Sequence, residues 1–485
     1  MVFSSHLFVF WFLPAALAVY YLLPRRARHL GLTALSYLFY GWTNPLFMVL
    51  MASSTLVDYL CGLAMVDRLG RRFGEPIERL EPGTTRSRGQ RVAVTISVTA
   101  NLSLLGFFKY FNFAADSYNG LLIALGLGEM QLDSVLRVAL PLGISFYTFQ
   151  SMSYSIDVYR GHSRALRNLI DFACYVSLFP QLVAGPIIRF SEIADQLRRR
   201  THTLEKLARG AAFFSLGMAK KVLLANPCGK VADTIFDAGS ALALDAWYGV
   251  TAYAFQIYFD FSGYSDMAIG LGLMLGFVFP KNFDSPYRAE SITDFWRRWH
   301  ISLSTWLRDY LYVPLGGNRR GAGRTYLNLA LVMLLGGLWH GAAWSFVAWG
   351  GLHGLLLAAE RARGKRGLFA GLPRPIRVGG TFLIVLVSWV FFRAADLPAA
   401  GSYLAAMLGL GEPQAGAWLL GGVIYQPYYL LTMALAALVV WAGPQSWDWT
   451  RRLPAWKVAA CLAVLWLSLA ALTTQAYNPF IYFIF

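Results

Sequence analysis

Residues 327–349 read LNLALVMLLGGLWHGAAWSFVAW, an apolar stretch whose clearly polar side chains are Asn328, His340 and Ser345. A helix that crosses a bilayer needs about 20 mostly apolar residues. The stretch therefore predicts a transmembrane helix with His340 near its middle. Comparable windows occur along the whole chain, for example at 7–23, 92–108, 378–392 and 428–442. We predict about eleven spans in total, although several windows run into each other.

Composition indicates the same fold class. Apolar residues occupy 57% of the 485 positions and charged residues only 14%, whereas a soluble domain has about a quarter charged residues. No polar stretch is long enough to form a domain outside the membrane, so we expect one integral-membrane domain over residues 1–485, all-α and multi-pass. The first apolar segment lacks a basic region before it and a small-residue cleavage site, which favours a retained helix over a cleaved signal peptide.

The net charge of +16 comes from basic residues that lie in short loops. The positive-inside rule places these loops in the cytoplasm and the N-terminus outside. The loops are 25–29, 67–91, 189–209, 319–324 and 361–377. Their charges set orientation and bind anionic membrane lipid, and together they also offer a positive rim to an anionic cytosolic ligand such as a coenzyme A phosphate. The pattern does not indicate binding of nucleic acid.

The largest interruption of the apolar pattern is 259–320, where polar and aromatic residues interleave too densely for an ordinary span. Irregular backbone at membrane depth persists only when it is buried in protein or lines a wet cavity. Within it, 291–310 has helical spacing, with Ser291 and Asp294 resembling a capping box. His300 shares one face of that helix with tryptophans. The segment is too charged to span, so we expect an amphipathic or re-entrant helix near the cytosolic boundary.

The two histidines differ in what their positions indicate. A lone histidine on an apolar face is more often a hydrogen-bonded core residue than a catalyst, so position alone does not assign His300 a role. His340 lies in an apolar stretch, where an ionisable residue is costly and indicates function. Small neighbours such as Gly336 and Gly341 allow other helices or a ligand to approach closely. Burial should keep its imidazole neutral, as a general base requires; a histidine hydrogen-bonded across a helix pair is the structural alternative.

Motifs of other enzyme classes are absent from the sequence. It contains no G-x-S-x-G elbow, Walker A loop, HEXXH or H-x-x-x-x-D. Its four cysteines are scattered and have no C-x-x-C spacing, so neither a disulfide framework nor a metal site is predicted. What remains is histidine-centred chemistry without an evident covalent serine or cysteine.

Long motifs in this sequence resemble the membrane-bound O-acyltransferase family. They include NFDSPYRAESITDFWRRWHISLSTWLRDYLYVPLGGNR at 282–319, GGLWHG at 336–341, LPLGISFYTFQSMSYSIDVYRG at 140–161, FPQLVAGPI at 179–187, GMAKKVLLAN at 217–226 and FDFSGYSDMAIG at 259–270. The likeness covers nearly the whole chain. It is strongest to the bacterial branch that O-acetylates alginate, to which the teichoic-acid D-alanylation proteins are related. The resemblance identifies His340 with the family's catalytic histidine and His300 with its second site position, which is Asn or His.

The resemblance also implies a fold and a reaction. The family fold is a ring of tilted helices with re-entrant helices around a central tunnel. Members of this branch pass an acetyl group from a cytosolic thioester donor, such as acetyl-CoA, to an extracytoplasmic partner of the SGNH type that acetylates polysaccharide. His340 would take the proton from the acceptor hydroxyl, and His300 would orient the donor or polarise its carbonyl. The expected location is the bacterial inner membrane, with no permanently bound cofactor. The alternatives are direct acylation of a lipid or protein and, third, a non-enzymatic transporter.

The sequence ends in the apolar hexapeptide FIYFIF at 480–485. One interpretation is an aromatic anchor at the membrane boundary. In the other, Tyr482 accepts the acyl group at the site and presents it to the partner, because a phenol is a good enough leaving group to pass the acetyl on. The segment is similar to the short aromatic motif of the small partner in teichoic-acid D-alanylation, where a tyrosine is proposed to carry the acyl group.

Overall fold

The computed structural model describes residues 1–42, 44–67, 77–132, 137–364, 366–411, 415–475 and 477–481. All regular elements in these ranges are helical, which confirms the all-α prediction. The chain divides into two compact units, Met1–His202 with Leu275–Phe279, and Thr203–Met274 with Pro280–Phe485. His300 and His340 belong to the second unit, whereas Tyr482 lies outside the described residues. The single integral-membrane domain stays a prediction.

The described residues of the first unit form eight α-helices, and a π-helical turn at Leu7–Phe12 leads into the first of them. They are α1 (Leu13–Leu22), α2 (Arg28–Gly41), α3 (Leu46–Met65), α4 (Arg88–Ala124), α5 (Ile144–Arg160), α6 (Leu169–Ser177), α7 (Phe179–Leu182) and α8 (Phe190–Arg198). A buried carboxylate joins two of them: Asp58 on α3 accepts hydrogen bonds from Ser97 at 2.5 Å and from Asn101 at 2.8 Å on α4. Such bonds satisfy a charge that burial would otherwise make costly.

The second unit contains the remaining α-helices of the described residues. They are α9 (Leu204–Ala219), α10 (Asn226–Phe236), α11 (Ala243–Met274), α12 (Ile292–Arg298), α13 (Ile301–Leu307), α14 (Gly321–His340), α15 (Trp344–Ala362), α16 (Arg374–Arg393), α17 (Leu397–Met407), α18 (Gly421–Ile424), α19 (Pro427–Trp441), α20 (Ser446–Trp449) and α21 (Ala455–Thr474). π-Helical turns at Lys220–Ala225 and Arg308–Tyr312 follow α9 and α13.

Glycines set the closest helix packing in the second unit. On α9, a Cβ at Gly217 would lie 2.5 Å from the carbonyl oxygen of Gly263, and one at Gly210 would lie 2.6 Å from that of Gly270, both on α11. The two backbones approach too closely for any side chain at these positions. This is the small-residue packing typical of helices in membranes, and it holds α9 and α11 in close contact.

Four described helices, α3, α4, α16 and α21, are long and apolar enough to cross a membrane, and the bent pair Gly416–Ile424 and Pro427–Trp441 would add a fifth. The predicted windows at 92–108 and 378–392 fall inside α4 and α16, and the chain is a multi-pass membrane protein. The window at 7–23 corresponds to the shorter apolar helix Leu7–Leu22. The total of eleven spans and the central tunnel stay predictions.

The opening stretch, 327–349, is not one continuous span as predicted. α14 ends at His340, residues 341–343 are non-helical, and α15 begins at Trp344. The two helices form an antiparallel hairpin, because Gly337 lies against the carbonyl of Phe346 and Gly350 against that of Met333. Apolar periodicity does not reveal the turn, since both arms are equally apolar. The turn places His340 at a helix end instead of mid-span.

The helix predicted for 291–310 is also broken. α12 ends at Arg298, His300 adopts the left-handed conformation (φ 43°, ψ 57°), and α13 begins at Ile301. The predicted N-cap is correct, since the Ser291 hydroxyl accepts from the backbone N–H of Asp294 at 3.0 Å. The break comes from partners distant in sequence, described below, which helical spacing cannot indicate.

The segment FDFSGYSD at 259–266, which we assigned to an irregular stretch, is helical and forms part of α11. Every residue of this segment is buried. The helix therefore keeps its polar side chains because protein, rather than lipid, surrounds them.

Candidate active site

His340, at the C-terminal end of α14, is 7% exposed and lies among aromatic rings. Its ring centroid is 5.0 Å from that of Trp339, 5.4 Å from Trp349 and 5.3 Å from Phe392, each in an edge-on arrangement. These rings come from both arms of the hairpin and from α16, so the fold fixes the position of the imidazole tightly.

A cavity of about 460 Å³ opens beside His340. It is lined by residues of α12 to α15, among them Trp296, Leu303, Met333, Gly336 and Trp349. Its volume is in the range of small-molecule and cofactor sites, which are mostly apolar with a few placed polar groups.

Three arginines also line this large cavity: Arg297, Arg308 and Arg361. Arg308 pairs with Asp309 at 2.7 Å. Within the part of the chain that the structure describes, neither Arg297 nor Arg361 has a carboxylate partner. Their charges are therefore available to an anionic group of a bound ligand.

The wall that carries Arg297 is held by a buried glutamate. Glu360 on α15 accepts hydrogen bonds from the backbone N–H groups of Ile292 and Thr293, at 2.8 and 2.9 Å, and from the Thr293 hydroxyl at 2.6 Å. It supplies the first turn of α12 with acceptors for N–H groups that have no partner within the helix. α12 is thus fixed to α15 across the large cavity.

A second, small cavity of about 10 Å³ also touches His340. Its other lining residues are Ile257, Phe261, Trp299, Trp389, Phe392 and Ile481. Of all the described residues, only His340 lines both cavities. The imidazole therefore stands where a roomy, partly charged space meets a small, apolar and nearly filled one.

His300 is 0% exposed, and a backbone loop holds it in the left-handed conformation. The amide oxygen of Asn282 accepts hydrogen bonds from the backbone N–H of Ser302 at 3.2 Å, from the Ser302 hydroxyl at 2.9 Å, and from Nδ1 of His300 at 3.2 Å. The backbone carbonyl oxygen of Asn282 accepts a hydrogen bond from the backbone N–H of Ile301 at 2.9 Å. A non-glycine residue in this conformation costs about 1–2 kcal/mol, and the Asn282 bonds hold it there.

These bonds also assign the tautomer of His300. Because the atom of Asn282 that faces Nδ1 accepts from a backbone N–H, it is the oxygen, and it fits the tautomer in which Nδ1 is the donor. Nε2 then carries the lone pair; it is buried and has no hydrogen-bond partner among the described residues. Burial, and secondarily His340, lowers the pKa of His300 well below its usual range, which keeps the ring neutral. His300 lies outside the helices that qualify as spans.

The predicted pair of histidines does come together. The ring centroids of His300 and His340 lie 6.4 Å apart, and Trp339 packs against both. Tyr482, the third predicted residue, lies outside the described residues, so its role stays a prediction.

A third buried histidine, His353, shows what a structural histidine looks like in this fold. Its Nδ1 accepts from the indole N–H of Trp296 at 3.3 Å, and its Nε2 bonds the hydroxyl of Ser388 at 3.1 Å. Both nitrogens are satisfied, and His353 lines neither cavity. His300, with one unsatisfied nitrogen, does not fit this description.

Sequence reasoning did not single out Asn282, Glu360 or the individual arginines of the large cavity. Asn282 stands in the quoted segment NFDSPYR, and a polar residue before a predicted re-entrant helix was the available signal. Glu360 had only its position at the end of an apolar segment, whereas Arg361 begins the basic loop 361–377, which we expect to offer positive charge to an anionic cytosolic ligand. Their roles depend on helices that meet in space.

Comparison with known proteins places this site in context. The family model described as MBOAT, membrane-bound O-acyltransferase family, matches residues 93–366, which include both histidines. The probable alginate O-acetylase AlgI of Pseudomonas putida is 45% identical over 100% of both chains. The peptidoglycan O-acetyltransferase of Helicobacter pylori is 37% identical, over 84% of this chain and 80% of its own. The teichoic acid D-alanyltransferase of Streptococcus thermophilus is 31% identical, over 46% of this chain and 57% of its own.

Proposed function

Because the chain belongs to the membrane-bound O-acyltransferase family and is an O-acyltransferase, we propose that it transfers an acetyl group from a cytosolic thioester donor across the membrane, for O-acetylation of an extracytoplasmic polysaccharide such as alginate. The observation that carries this proposal is the position of His340, where the large cavity and the small cavity meet. The relatives' names support it, since they include enzymes named for alginate and for peptidoglycan.

The large cavity suits an acyl thioester such as acetyl-CoA. Its apolar floor accepts the uncharged arm of the donor, and the guanidinium groups of Arg297, Arg308 and Arg361 suit the phosphates. In this arrangement the thioester carbonyl lies next to His340. The donor is a substrate, and no permanently bound cofactor is required.

The reaction then needs one base at His340. Its neutral imidazole takes the proton from the acceptor hydroxyl as that oxygen attacks the carbonyl carbon. The new C–O bond forms, the C–S bond breaks, and the proton passes to the departing thiolate. Aromatic rings exclude water around the imidazole, which limits hydrolysis of the thioester.

His300 acts as an orienting residue in this scheme. Its Nδ1 donates to Asn282, so its free Nε2 accepts a hydrogen bond and cannot donate one to a carbonyl. Of the two roles expected from the sequence, this geometry supports orientation of an N–H or O–H group of the bound substrates over polarisation of the thioester carbonyl.

The acceptor in the proposal is the hydroxyl of Tyr482, which would carry the acetyl group to an extracytoplasmic partner of the SGNH type in the bacterial inner membrane. Support comes from the preceding residue, since Ile481 lines the small cavity beside His340. In cells, Tyr482→Phe keeps the aromatic ring but removes the nucleophile, and acetylation of the polymer should cease. Full acetylation by this variant would exclude the relay and favour the aromatic anchor.

The donor half of the proposal is tested with purified protein in lipid nanodiscs and labelled acetyl-CoA. We expect release of free thiol and appearance of the label on Tyr482 by mass spectrometry, and neither in the His340→Ala variant. Thiol release without label on the chain would point to direct acylation of another acceptor. A donor that is never consumed, in the presence of polymer and envelope extract, would contradict the choice of acetyl-CoA.

A further inference from the structure

The segment 477–481 reaches the site, and residues 477–480 in it have no regular secondary structure. Ile481 is 2% exposed and forms part of the wall of the small cavity, and the ring of Phe480 packs 4.8 Å from that of Tyr264. An irregular backbone inside a membrane protein needs partners for its polar groups. The side chains that supply those partners are therefore of interest.

A buried ion pair holds this segment by its backbone. Asp260 Oδ2 accepts a hydrogen bond from the N–H of Ile481 at 3.0 Å, while its Oδ1 lies 2.9 Å from Nζ of Lys221. Lys221 Nζ also donates to the carbonyl oxygen of Pro479. The side chains of Lys221 and Asp260 are only 3% and 1% exposed. Asp260 thus accepts from the backbone N–H of Ile481, and Lys221 donates to the backbone carbonyl of Pro479.

The same helix builds the cavity wall and the anchor. On α11, Ile257 and Phe261 line the small cavity, and Asp260 lies between them at helical spacing, on nearly the same face. Phe261 also packs against His300, with ring centroids 4.6 Å apart. A shift of the anchored segment therefore acts directly on the wall shared with both histidines.

The pair is not explained by stability. A buried ion pair is often no more stabilising than apolar residues of the same volume, and its best-attested use is to specify one arrangement. The neighbouring pair provides a contrast: Lys220 and Asp266 lie 2.7 Å apart between the same two elements, and the other partner of Asp266 is Ser446 rather than the segment.

We propose that Lys221 and Asp260 are positioning residues for acyl transfer, which hold segment 477–481 so that Ile481 closes the small cavity at His340. This inference rests on the proposed function for its effect on transfer. The anchor itself is a structural claim and has its own measurement. Neither residue lines either cavity, so neither is placed in contact with the donor.

The first experiment measures the anchor. Ile481→Cys is introduced into the full chain in nanodiscs, and its labelling by a maleimide is timed; the four native cysteines are buried and give a low background. Adding Asp260→Asn should speed labelling at least tenfold, because it removes the charge that holds Lys221 and the segment together. Adding Asp266→Asn, the matched control, should change it less than twofold. Equal labelling in all three would overturn the proposal.

The second experiment measures transfer in chains with the native Ile481. Asp260→Asn should lower acyl transfer at least tenfold while affinity for acetyl-CoA stays within about twofold, and Asp266→Asn should keep most transfer. Faster labelling with normal transfer would show that the anchored segment has no part in the reaction. Absence of transfer in the unaltered chain would sink the proposed function, whereas the labelling result would still decide the anchor.

A third comparison leaves the ion pair intact, in case Asp260→Asn does not fold. Ile481→Pro removes the N–H that donates to Asp260, whereas Ile481→Ala removes side-chain volume and keeps the N–H. We expect transfer by the proline variant to be at least fivefold lower than by the alanine variant, with similar thermal unfolding. Equal transfer by the two would show that the backbone anchor does not matter.

Discussion

The two cavities that meet at His340 are built from different chemistry. The large one, about 460 Å³, combines an apolar floor with serine, threonine and asparagine side chains and with Arg297, Arg308 and Arg361. The small one, about 10 Å³, has six apolar lining residues besides His340, and Ile481 comes from a segment far along the chain. One space has the volume and charge for an anionic donor, while the other holds at most about one water.

Under the proposed function, this difference would explain why a histidine stands at their boundary. Donor phosphates need cations and water, because an unpaired charge in an apolar space is costly. A histidine that acts as a general base must be unprotonated, and therefore neutral, when the hydroxyl attacks. A single cavity cannot provide both a charged, wet site for phosphates and an apolar site for the base. Here two cavities provide them, one on each side of the His340 imidazole. If this division is correct, changes on each side should affect different steps.

Removing the side chain of His340, which lines both cavities, should have the largest effect on acyl transfer. His340→Ala should lower acyl transfer about 10²–10⁴-fold, the usual contribution of a general base. The measurement is transfer from labelled acetyl-CoA by purified protein, with folding checked by size-exclusion chromatography. His353→Gln is the matched control, because His353 is buried nearby but lines neither cavity. Comparable losses in both variants would contradict a special role for His340.

His300→Ala should come next, with a loss of about 10²-fold, because a small misplacement of reacting groups costs about that much. An orienting residue should raise KM as well as lower kcat. The control is His300→Asn, whose oxygen can accept a hydrogen bond and whose backbone tolerates the left-handed conformation. We expect it to retain more activity than alanine. A loss in kcat alone would place His300 in the chemical step.

Substitutions of the arginines should affect only the binding of the donor in the large cavity. Arg361→Gln should raise KM for acetyl-CoA about tenfold without lowering kcat, since a charge-assisted bond contributes about 1.5–3 kcal/mol. The affinity should also depend less on salt than in the unaltered chain. Arg363→Gln is the control, two residues away and not among the cavity's lining residues. An equal rise in KM for both would mean that general surface charge, not this cavity, binds the donor.

The smallest effect is expected at Gly336, which lines the large cavity. A Cβ there would lie 3.6 Å from Leu307, an ordinary contact, so Gly336→Ala should change KM by less than about threefold. At Gly337 a Cβ would lie 2.3 Å from the Phe346 carbonyl oxygen, so Gly337→Ala should destabilise the hairpin by about 1–3 kcal/mol. Thermal unfolding distinguishes the two. Equal stability would contradict the close packing of α14 and α15.

The sequence predicts those features whose causes lie in neighbouring residues, and it misses those that depend on residues distant along the chain. Helical class, membrane location and the prediction of a role for His340 depend on composition and on apolar runs, which are local. The breaks after Arg298 and His340 were missed, because residues on both sides keep helical spacing. Their causes are Asn282 bonding the backbone at Ser302, and backbone contacts between α14 and α15.

The sequence by itself determined that the chain is an all-helical membrane protein, and it predicts a histidine-centred site, since burial of apolar surface and the cost of a histidine in lipid can be read residue by residue. Only the tertiary structure decided that His340 lies between two unlike cavities, that His300 offers an acceptor nitrogen, and that Lys221 and Asp260 hold the segment 477–481. Each of these depends on groups that are distant along the chain and close in space, and no periodicity records such pairings.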